Sequence, residues 1–159
     1  MKKALYIILL LSIFCVANSA AQKVVRYPLF DISQTPEFKV DSVVFRTDET
    51  LFYFHYDNRE GAVDWINISP ETYIKDEKGK IYNILSLENI AKGPEQTQIR
   101  GKKEWNCILH FPRIDSKIKT IDFIEDESKT SFNIYGIDLS KDGEFSGYID
   151  FVDFNRKFS

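Results

Sequence analysis

Between residues 38 and 57 apolar and polar positions alternate with a period of two, and the alternation breaks only around Asp48. A strand sends successive side chains to opposite faces, so this spacing predicts two strands, 38–47 and 49–57, joined by a tight hairpin. In the second strand Phe52, Phe54 and Tyr56 share one face, and Leu51, Tyr53 and His55 share the other. Shorter alternating runs follow at 63–69, which ends at Pro70, and at 72–74 and 81–85 around a loop over 75–80. Further runs occupy 104–111, 119–124, 132–139 and, after a Lys-Asp-Gly turn at 141–143, residues 144–154. Residues 88–103 are polar and carry Gly93, Pro94 and Gly101, which predicts a long loop with one short helical turn near 86–91. Taken together the pattern predicts an all-β domain: an antiparallel immunoglobulin-like β-sandwich of about eight strands, with a partly open barrel as the alternative closure.

The first twenty-two residues break this pattern. Lys2 and Lys3 precede an apolar run from about Ala4 to Ala17, and small residues follow, which is the layout of a secretory signal peptide over 1–20. The run is shorter than the roughly 20 apolar residues a membrane-spanning helix needs, so no span is expected after cleavage. Cys15 closes the apolar run as a lipid-attachment cysteine does. Its neighbour Phe14 is not the small residue such sites carry, so cleavage near Ala20 is favoured over a lipoprotein. The expected mature chain, 21–159, is one domain's worth of residues, exported to the periplasm or beyond.

Removing Lys2 and Lys3 from 21 basic residues leaves 19 against 24 acidic ones, a net charge of −5. That balance disfavours nucleic acid and anionic membrane as partners, since both attract basic faces. One mature cysteine, Cys107, cannot form an internal disulfide, so an aromatic-rich core has to hold the domain. Cys107 lies three positions before His110, and that offset puts the two on opposite faces of a strand. They are therefore no catalytic dyad, and Cys107 shares its face with Trp105, Leu109 and Phe111 as a core residue.

No catalytic residues, metal ligands or cofactor are expected. Two histidines and one thiol lack zinc-site spacing, and the acidic groups at 76–77 and 122–127 lack the calcium-loop pattern. The acidic stretch 125–128 reads as a solvated turn. There is no G-x-S-x-G elbow, P-loop or mature C-x-x-C. A carboxylate pair able to work as a hydrolase is the alternative that composition leaves open. The candidate binding residues are Arg100, Lys102 and Lys103 on the long loop, and Tyr148 and Phe154 on a C-terminal segment apolar on both faces.

Two blocks, 65–90 and 110–139, resemble a module of Bacteroidetes-type envelope proteins. They carry a Pro-Glu-Thr-Tyr step at 70–73, Gly-Lys-x-Tyr at 79–82, Asp-Phe-Ile-Glu at 122–125 and Ile-Tyr-Gly-Ile-Asp-Leu at 134–139. The resemblance implies a β-sandwich and an envelope location. In some similar proteins the module precedes a thioredoxin-like domain, which makes an accessory role beside a thiol-disulfide oxidoreductase a further alternative. Asp41-Ser42-Val43 is similar to a short O-glycosylation acceptor of one bacterial group. The expected function is that of a non-enzymatic envelope protein binding another envelope protein or a glycan.

Overall fold

The computed structural model describes residues 23–126 and 131–144, so the signal-like segment and the C-terminal run from 145 lie outside the described residues. Within them the chain is all-β, with twelve strands: β1 Lys23–Arg26, β2 Ile32–Ser33, β3 Phe38–Phe45, β4 Glu49–Asp57, β5 Trp65–Ile66, β6 Tyr73–Asp76, β7 Ile81–Asn83, β8 Ser86–Glu88, β9 Thr97–Gln98, β10 Glu104–Pro112, β11 Thr120–Ile124 and β12 Ile134–Asp138. Two antiparallel five-stranded sheets run β1-β3-β4-β10-β8 and β2-β12-β11-β6-β7, and β5 pairs with β9 as a small separate ribbon. The β-sandwich expected from the alternation is the fold observed.

In two strands the residues of the core cluster change parity, and a bulge explains each. In β3 the buried residues are Phe38 and Val40, then Val43 and Phe45. Parity changes because Asp41 is an extra residue between Val40, opposite Phe54, and Ser42, opposite Tyr53. In β12 the buried Ile134 and Ile137 also differ in parity, and the register shifts opposite Asp122. Gly136 sits there at φ +68 and donates its N–H to Asp122 Oδ1 at 2.9 Å. A Cβ at Gly136 would also fall 2.2 Å from Asp31 Oδ2, so glycine answers both the backbone conformation and the close approach.

Rings from both sheets meet in the core. Phe38 stacks on Phe54 at 4.5 Å and on Phe132 at 4.5 Å. Phe123 of β11 reaches across to Phe54 at 5.1 Å and Phe38 at 6.1 Å. Cys107 is buried beside Leu109 and Phe111, and burial, helped by the Asp41 charge, pushes its thiol up to about 12. Iodoacetamide at mildly alkaline pH therefore leaves Cys107 unmodified in the folded protein and modifies it only after denaturation. Rapid native-state alkylation would show the strand to be misassigned.

Glu125 departs from the solvated turn expected over 125–128, of which residues 127 and 128 lie outside the described residues. Glu125 is buried, and its carboxylate accepts the N–H of Ser69 at 3.1 Å and of Phe132 at 2.7 Å. Burial raises its pKa, against those two hydrogen bonds, and the neighbouring Asp126 adds to the rise. It ties the segment before β6 to the approach to β12.

Candidate binding site

The side of the sandwich closed by β7 and β8 is made from one continuous stretch of chain. Ile81–Asn83 is the edge strand of one sheet, Ser86–Glu88 is the edge strand of the other, and residues 84 and 85 step between them. Ile84 donates its N–H to the Thr72 carbonyl and Leu85 to the His110 carbonyl, at 3.0 and 2.8 Å, so the step is anchored to both sheets. Tyr82 and Leu87 turn inward, while Ile81 and Leu85 stay more than half exposed. Strand β8 replaces the helical turn expected over 86–91. With Leu87 pointing in between Ser86 and Glu88, the local period is two, and the free edge of β10 supplies a hydrogen-bonding partner for a strand but none for a helix.

The polar stretch that follows is a pinned loop. Ala91 accepts the Ile68 N–H at 3.0 Å and donates to Thr97 Oγ1 at 2.7 Å, and Asn67 donates its side-chain amide to the Glu95 carbonyl at 2.9 Å. The Trp105 indole N–H donates to the Asn89 carbonyl. Ile90 and Ile99 are buried as apolar anchors. Of the strand expected over 63–69 only Trp65–Ile66 forms, and it pairs with β9 of this loop and with neither main sheet. Between the loop and β8 lies an open cleft of about 300 Å³, lined by Ile84, Leu85, Leu87, Ile90, Lys92 and Glu95 among others.

The basic residues singled out in the sequence lie at the far end of the same loop. Arg100 forms a two-pronged ion pair with Asp64, Nε to Oδ1 at 2.9 Å and Nη2 to Oδ2 at 2.6 Å, with the arginine side chain largely exposed. Lys102 and Lys103 are exposed, and their carbonyls accept from Asn58, which is buried: the Asn58 side chain reaches Lys102 at 3.1 Å and its backbone N–H reaches Lys103 at 2.8 Å. Tyr148 and Phe154 lie outside the described residues. No protein-family model, curated protein or solved structure matches the chain. What the site can do has to be argued from its own side chains.

Those side chains include a cluster that sequence reading missed. His110 projects from the outer face of β10, away from Cys107. Its Nδ1 lies 2.8 Å from Glu49 Oε2 on β4, and its Nε2 lies 2.9 Å from Glu88 Oε1 on β8. Burial alone would depress the imidazole pKa, but the hydrogen bonds and charges of Glu49 and Glu88 together outweigh it and raise the value. The same contact is the main cause that lowers the Glu49 carboxyl. The outward parity of His110 was legible from the sequence. Its carboxylate partners, 61 and 22 residues away, depend on the order of strands and were not. On the same outer face His55 Nδ1 lies 2.6 Å from Asp41, the bulged residue of β3, so each described histidine is tied to a carboxylate.

Proposed function

We propose that this chain is an exported, non-enzymatic β-sandwich of the cell envelope that binds another envelope component, protein or glycan, through the cleft beside β8 and the basic end of the loop behind it. The cleft carries this reading. Its walls are about equally polar and apolar, with an ammonium at Lys92 and a carboxylate at Glu95 beside Ile84, Leu87 and Ile90, and Leu85 at its rim is more than half exposed. Such a mixture suits an extended ligand held by side-chain contact and a few polar groups. The signal-like first twenty residues and the resemblance to Bacteroidetes-type envelope modules support export, and the net negative charge favours a partner that is neither nucleic acid nor anionic membrane.

Cross-linking in envelope fractions followed by co-purification tests the reading. Leu85→Asp lowers recovery of the partner about tenfold, the effect of losing one well-buried aliphatic contact. Lys102→Glu with Lys103→Glu reports on the basic end. It is cleaner than changing Arg100, whose loss would also free Asp64 and loosen the ribbon. Recovery equal to wild type in both variants would overturn the assignment of this surface.

A further inference from the structure

The bond between His110 and Glu88 holds more than a side chain. β8 is an edge strand of three residues, paired only with β10 through Ser86 opposite His110, Leu87 opposite Leu109 and Glu88 opposite Ile108. A strand this short and this exposed needs ties besides its backbone ladder. The His110–Glu88 contact is one tie, and the Trp105–Asn89 hydrogen bond is another.

Both nitrogens of the His110 ring face carboxylate oxygens. A neutral imidazole carries a single N–H and can satisfy only one of them, so both contacts are favourable together only when the ring is protonated. The surroundings decide which contact fails first. From β4, Glu49 faces the ring and is itself held by Arg46 Nη1 at 3.0 Å, while uncharged Leu51 lies opposite. From β8, Glu88 and uncharged Ser86 face it. Along β10 its same-face neighbours are Ile108 and Pro112, also uncharged. The Glu49 side chain is 21% exposed and the Glu88 side chain 55%, so water can take over Glu88 with little loss and Glu49 keeps the remaining proton.

We propose that protonated His110 is a latch that fastens edge strand β8 to the sheet, so that β8 and the wall of the cleft loosen as the pH rises. A histidine held cationic in the fold contributes stability that is complete below its unfolded value of about 6.5 and is lost as the pH rises through its higher folded value. The window is therefore neutral to mildly alkaline. The latch stands on its own geometry, and only its consequence for ligand access rests on the binding reading above.

Amide hydrogen exchange on the mature protein, read by mass spectrometry and corrected for intrinsic rates, tests this directly. Between about pH 5.5 and about pH 8.5, protection of residues 85–89 falls about tenfold, as expected when one partly exposed charge-assisted hydrogen bond is lost. Protection of the β3–β4 hairpin stays level. His110→Gln removes the pH response, and so does Glu88→Gln, a change at an exposed position that keeps an acceptor without the charge. Flat protection of 85–89 in the wild type, or an undiminished fall in Glu88→Gln, would overturn the latch. Because exchange reads strand opening and not capture of a partner, its failure is distinguishable from failure of the binding assignment.

Discussion

Replacing Phe123 with alanine lowers the stability of the domain by about 3–5 kcal/mol, the cost of emptying a large aromatic site in a packed core. Phe123 is fully buried and is the ring of β11 that enters the aromatic cluster of the opposite sheet. Besides Phe38 and Phe54 it meets Phe111 edge to face at 6.4 Å. Each such pair adds roughly 0.5–1.5 kcal/mol beyond burial, and the cavity left by alanine would be lined by rings that cannot collapse into it together. Against a total of about 5–15 kcal/mol, the loss brings the domain close to unfolding at body temperature. Phe123→Leu keeps most of the volume and costs about 1–2 kcal/mol. Urea titration followed by the fluorescence of Trp65 and Trp105 measures both. A cost below about 1.5 kcal/mol for Phe123→Ala would mean that the two sheets do not share this cluster.

The core was legible because its signal is local. Parity within β4 assigns Phe52, Phe54 and Tyr56 to one face without knowledge of any partner strand, and the same holds for Cys107 against His110 in β10. The turn between β6 and β7 was legible for a similar reason. Asp76-Glu77-Lys78-Gly79 places an acceptor at the first turn position and glycine at the last, where φ is +82. The candidate face was less legible because it depends on which strands become neighbours. Glu49 reaches His110 only because β4 lies beside β10, and Glu88 reaches it only because residues 86–88 add a further strand to that edge. A charged residue in a polar stretch looks the same whether it ends in water or in a bond. Glu125 belongs to a stretch that reads as solvated, yet it is buried on two backbone N–H groups, and Asp64, in a run that reads as a strand, grips Arg100 at the surface.

Asp76 makes the same point with the larger energetic consequence. It shares its parity in β6 with the buried Ile74, so a carboxylate ends a core-facing row at the rim of the sandwich, covered by its own hairpin. Oδ1 accepts the N–H groups of Lys78 and Lys80, both at 2.9 Å, and Oδ2 accepts the hydroxyl of the buried Tyr82 at 3.1 Å. Asp76→Ala removes the acceptor for all three donors and strands the Tyr82 hydroxyl away from water, at a cost of about 2–4 kcal/mol by chemical denaturation. It also loosens β7, from which the chain continues into the cleft wall.

The pH dependence separates the charge from the hydrogen-bonding shape. Burial is the largest single influence on Asp76 and pushes its pKa up, but the donors from Lys80, Lys78 and Tyr82 together hold the carboxyl below its usual value. A carboxylate with a depressed folded pKa contributes stability that is present above its unfolded value, about 3.9, and is lost as the pH falls through the folded one. The stability gap between wild type and Asp76→Asn is therefore widest at neutral pH and narrows as the pH falls below about 4 toward the lower folded value, beneath which both side chains are uncharged. Tyr82 reports from the other side of the bond: burial first, and then Asp76, push its hydroxyl up to about 12. Ultraviolet titration of Asp76→Asn finds that hydroxyl ionising at lower pH than in the wild type. A gap that stays constant from neutral pH into acid, with Tyr82 unmoved, would show that the carboxylate is not ionised against these donors.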